Sequence, residues 1–249
     1  MKIIISGCGK IGATILESLV AEGHDIVAID NNQSVIQEIT NVYDVMGVCG
    51  NCFDSDVLEE AGISEAELFI AAAGSDESNM MSCFLARKLG AKHTIARIRN
   101  PEYNDKSLSI LRHHFELSMS INPERLAAHE IFNILKFPSA VKIDSFSRRS
   151  FEMIEFRLKD DSVLDGLTLS EFRDKYKTQV LICCVLRDDE IFIPGGNFVL
   201  KSGDKISLAA THTDITKLFK ELGLSQKQSK NVMILGGSRI SYYLSEMLA

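Results

Sequence analysis

Six residues, Gly7-Cys8-Gly9-Lys10-Ile11-Gly12, follow directly on the apolar run Ile3-Ile4-Ile5-Ser6. They open a stretch in which Ile11, Ile15, Leu16, Leu19 and Val20 share one helical face. A buried strand, a glycine-punctuated turn and a helix, in that order, leave the chain few folds to choose from. Gly7 allows a sharp turn, Gly9 lets a pyrophosphate approach with no Cβ in the way, and Gly12 lets the helix pack closely on the strand. The helix then points its unsatisfied N–H groups and the positive end of its dipole at the phosphates, so no lysine is required. The motif alone is a weak signal, because glycines also occur in ordinary structural turns. Its setting between strand and helix is what favours a nucleotide site.

A second strand over residues 24–29 ends in Asp30, eighteen positions after Gly12. A carboxylate there accepts hydrogen bonds from an adenosine ribose, and Asn31 and Asn32 follow in place of an arginine suited to a 2′-phosphate.

The remaining composition narrows the class of protein. With 249 residues, 45% apolar and 24% charged, the chain describes a soluble globular protein with room for one large or two modest domains. No apolar run approaches the length of a membrane span, and the start of the chain does not read as a signal peptide. A net charge of −7 argues against a nucleic-acid partner, which would need a basic face. Six scattered cysteines are no secreted disulfide framework and suit a reducing cytosol.

Strand and helix alternate onward. A helix near 34–40 leads to a strand at 44–49, which ends at Gly50-Asn51-Cys52, on the edge where a nucleotide would lie. Cys49 to Cys52 is formally C-x-x-C. With no second pair nearby, a strand end and turn is preferred to a zinc or redox site. A helix at 56–61 precedes a fourth strand over 68–73, after which Ser75 or Asp76 caps a long helix to Leu89. Asp76 and Glu77 suit the dipole of that first turn.

A fifth strand, 94–98, carries Arg97 among apolar neighbours. Arg97 either snorkels to the surface or meets an anion, and the strand's position favours a phosphate contact. His113 and His114, adjacent on a helix, do not face one metal site. A sixth strand, 117–121, runs into Asn122-Pro123 and a helix with a wide apolar band, broken at Phe137-Pro138-Ser139. Six alternations describe a doubly wound parallel sheet of α/β class over residues 1–137.

Residues 138–224 read as a small α+β module. It has a half-exposed strand at 151–158, a helix at 169–177, a hairpin of 180–186 and 190–193, a strand at 205–210 and a helix at 213–222. After a polar linker at 225–230, the run Val232-Met233-Ile234-Leu235-Gly236 repeats the start of the chain at an offset of 229. Gly7 falls on Gly236 and Ile11 on Ile240, while Gly9 and Gly12 fall on Ser238 and Ser241. Residues 225–249 are therefore expected to be a linker and the beginning of a second, degenerate copy, within a longer two-copy protein.

The order of these features resembles the TrkA and Ktr family of potassium-uptake regulators, whose repeated RCK unit is a nucleotide-binding N domain followed by a smaller C domain. The resemblance covers essentially the whole chain. It rests on Gly7 to Gly12, Asp30, Gly50-Asn51, Ser75-Asp76-Glu77-Ser78-Asn79, Ala96-Arg97-Ile98, Ile193-Pro194-Gly195-Gly196 and Gly203-Asp204. It implies an N domain that binds NAD(H), the favoured ligand, or ATP or ADP, without transforming it.

The resemblance also implies a homo-oligomer, a dimer or a higher ring, on the cytoplasmic face of an integral-membrane potassium transporter subunit of TrkH or TrkG type. By position, Gly7, Cys8, Gly9, Lys10 and Ile11 would hold the pyrophosphate and Asp30 the ribose, with Gly12 and Asn31 beside them among the expected cofactor-binding residues. Ala73 and Gly74 would lie at the nucleotide's edge and Arg97 would meet a phosphate, while Asn51 and Cys52, at the third strand's end, are also expected to bind the cofactor. The family usually has aspartate where this chain has Asn51, and often threonine where it has Ala73.

The glycine motif also suits an NAD-dependent oxidoreductase, since fold does not settle activity. Hydride transfer, however, needs an acid/base residue beside the nicotinamide, and the second module offers only surface-like acids and His212. A nucleotide-responsive repressor lacks a basic stripe or helix-turn-helix.

Overall fold

A computed structural model of the chain describes residues 1–103, 105–136, 142–145, 151–160, 162–224 and 231–249. The expected breaks at Phe137-Pro138-Ser139 and at 225–230 lie outside the described residues. The chain divides into two compact units. One is Met1–Ala127 with Gly237–Tyr243, and the other is Ala128–Gly236 with Leu244–Ala249.

The first unit opens with β1 (Lys2–Ser6), α1 (Lys10–Ala21), β2 (Asp25–Asp30), α2 (Gln33–Val42) and β3 (Met46–Cys49). It continues through α3 (Ser55–Glu60), a 3₁₀ turn at Ile63–Glu65, β4 (Leu68–Ala71), α4 (Asp76–Lys88) and β5 (His93–Arg97). After α5 (Asp105–His114) and β6 (Met119–Ile121), α6 (Pro123–Lys136) begins, and the division between the units falls within it. The six strands form one parallel sheet in the order β3-β2-β1-β4-β5-β6.

Alternation along the strands explains the layering, because successive side chains point to opposite faces. Ile3, Ile5, Ile26 and Ala28 pack with Leu16 of α1 and with Ile36 and Ile39 of α2. Ile4, Val27, Ile29 and Phe69 pack on the other face with Leu58 of α3 and with Met80 and Cys83 of α4. A sheet covered on both faces needs strands apolar at nearly every position, and Ile3-Ile4-Ile5 is such a run, 0% exposed throughout.

Two strand ends differ from the pattern-based expectation for local reasons. The fourth strand stops at Ala71 rather than 73, because the N–H and C=O of Ala73 bond the side chain of Asn79 instead of a neighbouring strand. The sixth starts at Met119 rather than 117. Glu116 is left-handed (φ 52°) and the N–H of Leu117 still donates to the carbonyl of Arg112, closing α5.

The second unit holds β7 (Lys142–Ser145), β8 (Phe151–Arg157), α7 (Leu169–Lys175), β9 (Val180–Arg187), β10 (Glu190–Phe192), β11 (Lys205–Thr211) and α8 (His212–Glu221). Its sheet is antiparallel in the order β10-β9-β11-β8-β7. Asp188 and Asp189 turn the hairpin with φ of 50° and 64°, the left-handed pair that matches strand twist. β7 has no counterpart in the sequence reading, since its four residues are too short to show alternation.

Arg187 grips Asp204 with two hydrogen bonds, Nε to Oδ1 and Nη2 to Oδ2, both 2.7 Å, and Asp204 is fully buried. The N–H of Lys201 also donates to Asp204 Oδ2. The ion pair and its hydrogen bonds hold the Asp204 carboxyl below its ordinary range, outweighing the burial that pushes it up.

The tail forms α9 (Arg239–Leu248), whose first residue is the offset counterpart of Lys10, the first residue of α1. Gly236 adopts φ 103°, as Gly7 adopts φ 85°. The run before it is not a strand, in contrast to the expectation. It pairs with no strand among the described residues, and Met233 and Leu235 stand 92% and 99% exposed.

Candidate functional site

The carboxyl ends of β1, β2, β3, β4 and β5 bound a crevice of about 660 Å³, the position at which open parallel sheets bind ligands. Of the residues expected there, Gly7, Gly9, Lys10, Ile11, Asp30, Asn31, Asn51, Cys52, Ala73, Gly74 and Arg97 line it. Cys8 and Gly12 do not, and stand behind the lining.

The three glycines have three different reasons to be glycine. Gly7 needs its left-handed backbone, and a Cβ there would lie 2.4 Å from the nitrogen of Ala73. At Gly12 a Cβ would sit 2.0 Å from the carbonyl oxygen of Gly7, so this glycine sets the approach of α1 to β1. At Gly9 a Cβ would meet nothing within 4 Å. That open space faces the crevice and leaves room for a ligand to approach the main chain.

The amino end of α1 is also chemically distinct. Asn32, Asp54, Ser75, Thr168 and Thr211 cap α2, α3, α4, α7 and α8 with side-chain oxygens, whereas Gly9 gives α1 no such bond. An anion in the crevice can accept from those N–H groups.

Asp30 takes one N–H on each oxygen, from Cys8 at 2.8 Å and from Asn32 at 2.9 Å. An ionised carboxylate offers about four acceptor sites, so two remain for ligand hydroxyls. The thiol of Cys8 points inward to the carbonyls of Ile5 and Ile29, and burial, reinforced by Asp30, pushes it up to about 12. Its contribution to the turn is its main chain. Asn51 folds its own turn, Oδ1 accepting from the N–H of Phe53, which makes Cys49 to Cys52 a strand end and turn.

Sequence reasoning missed the support behind the β4 and β5 ends. Asn79, fully buried on α4, accepts from the N–H of Ala73 at 2.8 Å and donates to the carbonyls of Ala73 and Arg97. Asp76, 5% exposed, accepts from the N–H groups of Arg99 and Asn100 and pairs with the Arg99 side chain, a role larger than the helix-dipole one expected of it. A polar residue eight positions after the end of β4, in a helix's first turns, was the available signal for Asn79. Ser6, Phe53, Ser75 and Ser78 also line the crevice.

Arg97 reaches the crevice, but its guanidinium is engaged. Nη2 donates to Oε1 of Glu124, in the first turn of α6, at 2.9 Å, and the two side chains are 12% and 20% exposed. A phosphate contact at Arg97 therefore has a carboxylate competitor within the protein. Among the described residues, the crevice lining contains no histidine and no tyrosine. Among the described residues, no cluster of three or more His, Cys, Asp or Glu could hold a metal ion, and no helix is long and apolar enough to cross a membrane.

The chain matches the TrkA-N domain family over residues 3–113 and the TrkA-C domain family over residues 153–223. It is 32% identical over 250 residues to a Trk system potassium uptake protein TrkA homolog of Archaeoglobus fulgidus, covering 100% of this chain and 56% of that protein. A second TrkA homolog, from Methanothermobacter thermautotrophicus, is 30% identical over 219 residues, covering 87% of this chain and 96% of that protein. The chain thus spans about half the length of the first relative and nearly all of the second. A solved structure described as the GsuK channel bound to NAD shares the fold, with a TM-score of 0.66 at 19% identity over 99% of this chain and 44% of that one.

Proposed function

We propose that this chain, which belongs to the TrkA family, is a nucleotide-binding regulatory subunit that gates a membrane potassium transporter through ligand-dependent conformational change. The observation that carries this reading is the uncapped amino end of α1, set beside the half-satisfied carboxylate of Asp30 in one crevice. The first suits a pyrophosphate and the second an adenosine ribose. NAD(H) is the favoured ligand, with ATP and ADP as alternatives sharing the same handle.

The nucleotide acts as a signal and is not consumed. Hydride transfer usually draws on a proton donor or acceptor at the nicotinamide, and the described residues of the lining include no histidine or tyrosine for that part. The partner is an integral-membrane potassium transporter subunit of TrkH or TrkG type, approached from the cytoplasmic face by a homo-oligomer of this chain. For such gating the nucleotide must bind two arrangements of the subunit with different free energies, and about 5 kcal/mol would nearly invert the population. The test is potassium flux through the assembled transporter in vesicles, titrated with NAD⁺, NADH, ADP and ATP. A nucleotide-dependent change in flux is expected, and indifference to all four rejects the reading.

A further inference from the structure

The run at 236–241 is the offset counterpart of the glycine turn, but the helix it opens, α9, is used differently from α1. Ser238 stands where the first turn has Gly9, and its Oγ accepts from the N–H of Ser241 at 3.3 Å, so the chain itself occupies a donor that α1 leaves free. The helix face has changed as well. Thr14 of α1 is exposed and donates its hydroxyl to the carbonyl of Lys10 in its own helix. Its counterpart on α9, Tyr243, is 6% exposed. The Tyr243 hydroxyl donates to the carbonyl of Arg99 at 2.9 Å and accepts from Asn122 Nδ2 at 2.9 Å.

Residues 237–243 belong to the first unit, so this triangle lies within one compact body. A buried phenol must find a partner for its hydroxyl, and one that both donates and accepts fixes the main chain it bonds. Arg99 carries the effect onward. Its N–H donates to Asp76 Oδ2 at 2.8 Å, its Nε meets Oδ1 at 3.4 Å, and its Nη2 donates to the carbonyl of Gly74. Gly74 and Ser75 line the crevice, whereas Arg99 and Tyr243 do not. The carbonyl of Arg99 is thus held by α9 while its guanidinium holds the crevice rim.

We infer that Tyr243 is a positioning residue for the crevice, setting the Gly74 rim through Arg99 and so coupling α9 to whatever ligand occupies the space over the first glycine turn. The positioning stands on the contacts alone, and the coupling rests on the nucleotide-binding reading above. Linkage makes the coupling reciprocal: a ligand that gains from an ordered rim must in turn hold α9. The start of the repeat then reports on the first crevice.

The test compares wild-type protein with Tyr243→Phe, Arg99→Gln and the double variant, by hydrogen exchange and by calorimetric titration with NADH and with ADP. Tyr243→Phe keeps the ring and deletes only the hydroxyl. In ligand-free protein it should speed amide exchange at 73–76 and 98–100 by about threefold or more and leave residues 3–5 of β1 as they are. Affinity for each nucleotide should fall by about three- to fivefold. On the Arg99→Gln background, Tyr243→Phe should lower it no further. NADH should slow exchange at 239–243 in wild type and not in Tyr243→Phe, a response that a merely structural bond would not give.

Unchanged exchange at 73–76 in folded, ligand-free Tyr243→Phe overturns the positioning, as does a rise that is equal at 3–5. Wild-type affinity in that variant, with 239–243 indifferent to NADH, overturns the coupling while nucleotide binding stands. Wild-type protein that binds neither nucleotide overturns the nucleotide reading and the coupling together, and the ligand-free exchange still decides the positioning.

Discussion

The main-chain N–H of Cys8 donates to Oδ2 of Asp30 at 2.8 Å, so the carboxylate proposed to hold a ribose also braces the glycine turn. Asp30→Ala removes both. Nucleotide affinity should fall by about tenfold or more, and the unpaired N–H should cost about 1–3 kcal/mol of stability. Asp30→Asn keeps an acceptor for Cys8 and should restore most of the stability while affinity stays low. Calorimetric titration beside urea denaturation separates the two effects, and wild-type affinity in Asp30→Ala removes the ribose assignment.

The glycines should respond in opposite ways to alanine. Gly12→Ala drives a Cβ to 2.0 Å from the Gly7 carbonyl and should destabilise the fold by about 1–3 kcal/mol or more. Gly9 is extended (φ −64°, ψ −169°) with open space around it, so Gly9→Ala should keep stability within about 0.5 kcal/mol. Its methyl group would instead enter the open space proposed for a phosphate, and nucleotide affinity should fall. Thermal denaturation of the two proteins checks the ordering.

Asn79→Ala should be among the most damaging polar substitutions. It deletes one acceptor and two donated bonds at a fully buried site, and a loss of about 2–5 kcal/mol is expected in urea denaturation.

Glu77 accepts from Ser75 Oγ and from Tyr103 Oη, both at 2.7 Å. The Ser75 bond first, and then the Tyr103 bond, hold the Glu77 carboxyl at about 2 against an ordinary 4.5, and the bond to Glu77 pushes Tyr103 from 10.0 to about 12. A depressed carboxyl stabilises the fold above its unfolded value, and the contribution is lost as pH falls from 4.5 toward 2. A raised tyrosine stabilises below 10, and its contribution is lost as pH rises toward 12. The stability gap between wild type and Tyr103→Phe should therefore be level at neutral pH and shrink toward both extremes. A gap of constant size across that range would count against the hydrogen bond.

Cysteine labelling gives an independent check on the turn. Cys49 is exposed, whereas Cys8 is buried with its thiol pushed up to about 12. Iodoacetamide on folded protein at mildly alkaline pH should modify Cys49 and spare Cys8, as peptide mass mapping would show.

Much of the first sheet was legible because two-sided burial writes itself as unbroken apolar runs such as Ile3-Ile4-Ile5, and because Gly7, Gly9 and Gly12 mark a backbone path few sequences need. What stayed hidden was chemistry between distant elements. Asp76 looks like a helix-dipole residue until β5 brings Arg99 and Asn100 over it, and Arg97 looks like a free cation until α6 delivers Glu124. Cys8 and Gly12 fit the motif but face away from the crevice, because the turn exposes main chain at one position and packs it at the next. β7 escaped notice through brevity. The repeated run at 232–235 was recognisable as sequence, yet a strand exists only where a neighbour completes its ladder.

Asp30 and Arg97 close strands three places apart in the order β2-β1-β4-β5, which at roughly 4.8 Å per place separates them by about 14 Å. On the proposed nucleotide-binding function the crevice would act as a gauge of ligand length. A nucleoside monophosphate held at Asp30 would stop short of the far bank, while a longer phosphate chain or a second nucleoside would span it. Regulatory potency among adenine compounds should accordingly grade with reach, even where the grip at the near end is the same.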